Sequence, residues 1–333
     1  MINFSNPYII AEINTSHFGD LDLARKMIKS AKVCGANCVK FQSWSETSLY
    51  SKSYYNENPI AKRFISKFSL NQQELKELSV YCKSIEIDFA STPYSIDEVD
   101  FLIDECEVPF IKVASMDINN FNLLKHIAKR NIQVILSTGM SDFNEIISAV
   151  HLLESTGLNK IVILHCNSLY PTKYNEVNLK NLITLANEFP KHTIGFSDHT
   201  IGIETAIASI ALGAKIVEKH FTLDSSKIGM DNQMATEPEL FEKMVNSCKN
   251  VHDSLGGFER IVNEKELDQR QKMRRSIIAK VYIKKGEVIT NNHLTAKRPG
   301  TGIPLDEWDK ILGKTAKVDI EEDCLIYPEY LND

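Results

Sequence analysis

The 333-residue sequence predicts a (β/α)8 barrel followed by a small, mostly β domain. Short β-branched or apolar runs alternate with amphipathic segments over roughly 250 residues, the rhythm of a parallel sheet wrapped in helices. Each run leads into polar residues at its C-terminal end, where barrel strands carry chemistry. The rhythm breaks near Ser276, and shorter strand-like pieces separated by turns follow. A doubly wound open sheet is the competing arrangement, but no GxGxxG motif follows the first run to support its dinucleotide-binding form.

Eight runs are candidate strands: residues 8–11, 38–41, 87–90, 110–113, 133–136, 161–164, 193–196 and 216–219. Their near-continuous apolar character suits strands buried on both faces. Between them, residues 21–33 follow Gly19-Asp20 with apolar positions at helical spacing, and 71–84 and 239–255 also read as helices. Ser95 with Glu98 makes a capping-box pattern, and Asp142 with Glu145 a weaker one. The expected division is a barrel over 1–260, a link over 261–275 and a second domain over 276–333. The charged stretch 264–275 reads as a solvated helix. In the second domain 276–279, 281–283 and 287–289 are strand-like, with turns at Lys285-Gly286 and Pro299-Gly300.

Lys plus Arg is 38 and Asp plus Glu is 44, a net charge of -6, which argues against nucleic acid or an anionic membrane as the partner. No run of 18 apolar residues predicts a transmembrane helix. The first twenty residues lack the basic start and long apolar segment of a secretory signal. Seven cysteines without a CxxC pair read as buried free thiols in a reducing cytoplasm, with no structural zinc.

In a barrel, the polar residues at the strand ends converge on one face. In chain order they are Glu12, then Lys40 and Gln42, then Thr92, then Lys112 with Ser115 and Asp117. Ser137 follows, then Ser168 and Tyr170, then Ser197, Asp198 and His199, and last Glu218 and His220. Any one of these reads most simply as an exposed polar residue; their convergence on one rim does not. Two lysines with five Ser or Thr hydroxyls (Thr92, Ser115, Ser137, Ser168, Ser197) suit a phosphorylated anion. His199 and His220 close adjacent strands and are candidate ligands for a divalent transition metal, leaving open positions for water and substrate. His17 is a candidate third ligand or hydrogen-bonding group, and His165 is left unassigned. Glu12, Glu218 and Asp231 are carboxylates suited to proton transfer or to sugar hydroxyls.

These residues carry a resemblance. Ala11-Glu12-Ile13, Val39-Lys40-Phe41-Gln42, Ser91-Thr92-Pro93, Ile111-Lys112-Val113-Ala114-Ser115 and Ser137-Thr138-Gly139-Met140 are similar to the sialic acid synthase family. So are Leu169-Tyr170-Pro171, Gly195-Phe196-Ser197-Asp198-His199 and Val217-Glu218-Lys219-His220-Phe221. The tail with Lys297-Arg298-Pro299-Gly300 resembles that family's antifreeze-like (SAF) domain. The resemblance spans nearly the whole chain. It implies condensation of phosphoenolpyruvate with an N-acylated amino-hexose, N-acetylmannosamine in the first place and a 2,4-diacetamido-trideoxyhexose as the alternative. It implies that Lys40, Thr92, Lys112, Ser115, Ser137, Ser168 and Ser197 hold phosphoenolpyruvate. His199 and His220 would bind Mn2+, or Mg2+ or Co2+. Gln42, Tyr170, Glu218 and Asp231 would face the sugar, with Glu12 as acid/base. It further implies a homodimer in which the second domain caps the partner's barrel and Arg298 reaches the N-acyl group. Ser16, Asp117, Ser168 and Met230 depart from the commonest family residues and bear on which sugar is used. Two other classes compete: an aldolase forming a Schiff base on Lys40 or Lys112, and a sugar- or ice-binding protein without catalysis.

Overall fold

The computed structural model describes residue 2 and residues 4–332. Eight strands make one parallel sheet: β1 Tyr8–Glu12, β2 Cys38–Gln42, β3 Asp88–Thr92, β4 Phe110–Val113, β5 Gln133–Ser137, β6 Ile161–Cys166, β7 Thr193–Asp198 and β8 Ile216–His220. The hydrogen-bonded order is β3-β2-β1-β8-β7-β6-β5-β4, so the first and last strands are neighbours. β3 and β4 lie against each other at the remaining seam, closing the barrel. All eight expected runs are strands. Most continue past the apolar run into the polar residues at its end, because ladder pairing rather than hydropathy ends them.

Helices follow the strands: α1 Leu21–Val33, α2 Gln72–Ser84, α3 Ile96–Asp104, α4 Phe121–Lys129, α5 Phe143–Ser155, α6 Asn181–Glu188, α7 Glu204–Ala211 and α8 Pro238–Ser254. Their starts are written locally. Asp20 caps α1 by accepting from the Asp22 and Leu23 amides. The Asp142–Glu145 pair, the weaker pattern in the sequence, forms a complete reciprocal box on α5. The Ser95 hydroxyl caps α3, but Glu98 turns its carboxylate to the Tyr94 amide at 2.6 Å, so that box is only half made.

Period-2 alternation sorts the strands into two environments. Ile9, Val39, Ile111, Val134, Ile163, Phe196 and Val217 point outward into the main core beneath the helices. Tyr8, Ile10, Cys38, Ala90, Phe110, Ile135, Leu164 and Ile216 fill the barrel's inside near its base. Gly195 shares that inner position, where a Cβ would stand 2.6 Å from Leu164 Cδ2. One step further along each strand the inward residues become polar, and those positions build the site.

The stretch between β2 and α2 carries three short helices that the sequence pattern does not predict: Glu46–Leu49, Lys52–Glu57 and Pro59–Phe68. Trp44, Tyr55, Ile65 and Phe68 give this stretch its own small apolar cluster.

The chain divides into two compact units between Gly256 and Gly257. The second contains helix α9, Glu264–Met273, and two antiparallel pairs. These are β9 Ser276–Ala279 with β10 Leu294–Lys297, and β11 Thr315–Ala316 with β12 Leu331–Asn332. Residues 281–283 and 287–289 are not strands; each contributes a single bridge, Ile283 to Ile320 and Val288 to Thr315. Ile283 and Ile289 are apolar because they fill this unit's core, which misleads a reading from hydropathy. The cysteines are free and buried as expected, except Cys324, which is exposed. Among the described residues no helix is long and apolar enough to cross a membrane.

Candidate active site

The inward polar layer opens into a cavity of about 330 Å3 at the C-terminal ends of the strands. Of the barrel's candidate residues, Glu12, Lys40, Gln42, Thr92, Lys112, Ser115, Ser137, Ser168, Tyr170, Ser197, His199, Glu218, His220 and Asp231 line it, whereas His17, Asp117 and Asp198 do not. Arg298 lies in the second unit.

Two lysines form the floor. Lys40 Nζ contacts Glu12 Oε2, donates to Thr92 Oγ1 at 3.1 Å and stands 3.9 Å from Glu218 Oε2. Lys112 Nζ donates to Ser137 Oγ at 2.7 Å and lies 3.6 Å from Glu218 Oε1. Ser197 Oγ donates to the same Glu218 oxygen at 3.1 Å. Glu218 therefore sits between the lysines at the floor as well as facing the cavity. Burial opposes ionisation of Glu218, but Lys112 and Lys40 outweigh it and hold its carboxyl below the ordinary value. Burial dominates at Glu12 and pushes it up to about 7 against the pull of Lys40. Burial also lowers Lys112, with Glu218 opposing, whereas Glu12 and Glu218 keep Lys40 above its ordinary value despite burial. Two ammonium groups thus face one firmly ionised carboxylate and one near its midpoint, a balance that favours an incoming anion.

Hydroxyls complete the floor. The Gly139 amide donates to Ser115 Oγ at 3.0 Å. A Cβ at Gly139 would fall 2.3 Å from Ser168 Oγ and 2.8 Å from Ser115 Oγ. Glycine here lets the ends of β4, β5 and β6 bring two hydroxyls together. Gln42 is held from three sides: it donates to Glu12 Oε1 at 3.1 Å and accepts from Trp44 Nε1 at 2.9 Å and the Tyr94 hydroxyl at 2.8 Å.

The imidazoles lie on the neighbouring arc. The His199 and His220 ring centroids are 5.4 Å apart, with the Tyr170 ring 4.3 Å from His199. His199 Nδ1 bonds the Asn167 carbonyl at 2.6 Å, so Nε2 is the nitrogen left for a ligand. Burial opposes protonation of His199, but the Cys166 sulfur beside the ring holds it above the usual imidazole value, and an ion bound there would displace its proton. Burial and the neighbouring His199 hold His220 well below the usual imidazole value, hence neutral and able to ligate. The donor set fits an open two-imidazole metal site. Among the described residues no group of three or more His, Cys, Asp or Glu side chains is arranged to hold a metal ion.

His17 is not part of this site. Its Nδ1 accepts from the Gly19 amide at 3.0 Å, its ring packs on Phe41, and burial lowers it to about 4, so it is a neutral core histidine. His165 bonds the Val177 carbonyl at 2.6 Å and lines an adjoining cavity. Asp117 bonds Asn120 and does not line the site. Sequence reasoning missed Asn14, which holds Asp231, and Tyr94. It also missed Cys166, whose sulfur lies 3.8 Å from Ser115 Oγ and 3.9 Å from His199 Nδ1. Strand parity could have found Cys166, since it follows the inward Leu164 by two. Leu49 and Tyr50, from the helical stretch after β2, and Met116, Met140 and Met230 form an apolar wall.

Residues 27–260 match the NeuB family, and residues 274–331 match the SAF domain. The chain is 38% identical over 329 residues to the N,N'-diacetyllegionaminic acid synthase of Campylobacter jejuni, covering 96% of this chain and 98% of that relative. It is 33% identical over 339 residues to the N-acetylneuraminate-9-phosphate synthase of Homo sapiens, covering 98% and 92%. Among solved structures, an N-acetylneuraminic acid (sialic acid) synthetase from Leptospira borgpetersenii in complex with citrate superposes with a TM-score of 0.74. It is 31% identical and matches 80% of this chain and 91% of that one.

Proposed function

The chain belongs to the NeuB family, and on that premise we propose that it is a nonulosonic acid synthase joining phosphoenolpyruvate to the aldehyde of an N-acylated amino-hexose, with loss of phosphate. The observation that carries this reading is the single cavity in which two buried lysines and five hydroxyls lie beside two imidazoles. Lys40 and Lys112, with Thr92, Ser115, Ser137, Ser168 and Ser197, hold the phosphate and carboxylate of phosphoenolpyruvate. Tyr170, Asp231 and Gln42 orient the open-chain sugar over it. His199 and His220 hold a divalent cation of the Mn2+ type, which when bound supplies Lewis-acid polarisation at the sugar's aldehyde end.

The bond changes are balanced by groups in this cavity. Carbon 3 of phosphoenolpyruvate attacks the aldehyde carbon, and the electron pair of the C=O bond moves to its oxygen. Positive charge develops at carbon 2, and water adds there, giving its proton to the Glu12 carboxylate. Glu12 passes that proton to the alkoxide formed from the aldehyde. The tetrahedral adduct then breaks its C–O bond as the new hydroxyl on carbon 2 becomes the ketone, and the bridging oxygen leaves with phosphate, which takes the hydroxyl's proton. Lys40 and Lys112 stabilise the departing anion, a fixed electrostatic contribution that needs no reorganisation.

The acceptor's identity has two readings. N-acetylmannosamine is the simplest N-acyl amino-hexose that fits the scheme. The 38% identity to an N,N'-diacetyllegionaminic acid synthase, together with the wall of Leu49, Met116, Met140 and Met230, favours a 2,4-diacetamido-trideoxyhexose. A panel of acceptors with phosphoenolpyruvate and Mn2+, read by released phosphate, ranks them by kcat/KM.

Lys112→Ala removes one charged donor from the phosphate cradle. A charged hydrogen bond contributes about 1.5–3 kcal/mol net, so phosphoenolpyruvate binding should weaken roughly tenfold to a hundredfold. Acceptor binding should change much less. Unchanged phosphoenolpyruvate affinity by titration would place the cradle elsewhere.

Arg298 is exposed on a turn anchored within its own unit: the Gly300 amide donates to the Gln271 carbonyl at 2.8 Å and Ser276 Oγ to the Pro299 carbonyl at 2.7 Å. We assign it to the N-acyl oxygen of sugar bound in a partner subunit. Arg298→Ala and His199→Ala, each inactive alone, should then complement. At equal mixing about half the dimers pair one of each, and one of their two sites is intact, so roughly a quarter of wild-type activity should return. No recovery after demonstrated subunit exchange would mean that Arg298 serves its own barrel.

A further inference from the structure

Directly behind the two histidines lies an ion pair that the proposed chemistry does not use. Asp198 and Lys219 face each other across the β7–β8 ladder, in register with Ser197 opposite Glu218. They point outward, toward the helices, and both side chains have 0% exposure. The residue that follows each in the chain is a histidine, His199 just past β7 and His220 at the end of β8.

The pair is fully hydrogen-bonded. Lys219 Nζ donates to Asp198 Oδ2 at 2.9 Å, to the Thr200 carbonyl at 2.6 Å and to Thr200 Oγ1 at 3.5 Å. Asp198 accepts in addition from the Thr200 amide at 2.9 Å and from Thr205 Oγ1 on α7 at 2.9 Å. The ammonium beside His220 therefore grips the residues on both sides of His199, and α7 is tied to the same carboxylate. A buried ion pair contributes little net stability relative to an apolar pair of similar volume, because desolvation offsets the attraction. What it supplies is a tie between the backbone segments that carry His199 and His220.

We infer that Asp198 and Lys219, with Thr205, are positioning residues that set the separation of His199 and His220 for divalent-cation binding. This rests on the two-histidine reading above. The test is Mn2+ binding to metal-stripped protein, measured by electron paramagnetic resonance of free Mn2+, beside thermal melting without metal. Asp198→Asn/Lys219→Met replaces the charges with groups of similar size. It should melt close to the wild type yet bind Mn2+ about tenfold to a hundredfold more weakly, the usual cost of losing an outer partner of a ligand. Wild-type Mn2+ affinity in this folded variant would overturn the inference. Should it not fold, Thr205→Val carries the test: it should weaken Mn2+ binding, with Thr205→Ser restoring it, and unchanged affinity in Thr205→Val would overturn the inference. Wild-type protein that binds no Mn2+, or binds it equally well as His220→Ala, would instead remove the two-histidine reading and this inference with it.

Discussion

Glu12→Gln is expected to cut turnover by about 10²–10⁴-fold, the range for a lost general acid or base, while phosphoenolpyruvate and acceptor still bind. The substitution keeps the shape and the hydrogen-bonding span of the side chain but cannot take a proton. Glu12 is well placed for proton transfer, because Gln42 fixes one oxygen at 3.1 Å and Lys40 holds the other. Burial pushes its carboxyl up to about 7, so near neutrality it takes and releases a proton readily. The sign of the pH dependence follows. As the base that receives water's proton, Glu12 must be ionised, so turnover at saturating substrate should rise as pH rises through about 7. Glu12→Gln should lose that limb along with the rate. Near-normal turnover in the variant would reduce Glu12 to the structural partner of Lys40.

Removal of divalent cation is expected to have the other large effect. Protein stripped by a chelator should show no turnover, and added Mn2+ should restore it. His199→Ala and His220→Ala should each lose more than about 10²-fold in activity at ordinary Mn2+ concentrations, beyond the cost of losing an outer partner. Both rings are buried, so truncating either opens a cavity; a melting curve separates that destabilisation from lost chemistry. Full activity of stripped wild-type protein would contradict the two-imidazole assignment.

The barrel was legible because parallel strands buried on both faces are apolar along their whole length, and eight such runs stand out from the amphipathic segments between them. The site was legible for a related reason. A closed barrel brings the ends of all its strands together, so residues as distant in sequence as Glu12 and Glu218 could be assigned to one cavity. What strand ends alone do not reveal is direction. Asp198 and His199 are neighbours, yet one points to the helices and the other into the cavity, and only parity with Phe196 and Ser197 decides between them. His17 looked available for ligation because it is a histidine near a strand end; the turn that follows β1 packs it on Phe41 instead. Apart from Cys166, which strand parity could have found, the residues missed, Asn14, Tyr94, Leu49 and Tyr50, come from connections whose path depends on tertiary packing. In the second unit the same dependence on packing made isoleucines of the core read as strands.

Isotope tracing shows which bond of phosphoenolpyruvate breaks, and a condensation of the proposed kind breaks C–O. Phosphoenolpyruvate carrying ¹⁸O in the oxygen that bridges carbon 2 and phosphorus is incubated with protein, Mn2+ and the best acceptor of the panel. The released phosphate is then analysed by mass spectrometry. Phosphate should appear only with acceptor present and carry the bridging ¹⁸O, while the sugar acid takes its new oxygen from water. Unlabelled phosphate would mean that the P–O bond breaks, and borohydride trapping of substrate on Lys40 or Lys112 would mean Schiff-base chemistry; either result rules out a condensation with C–O cleavage at this site.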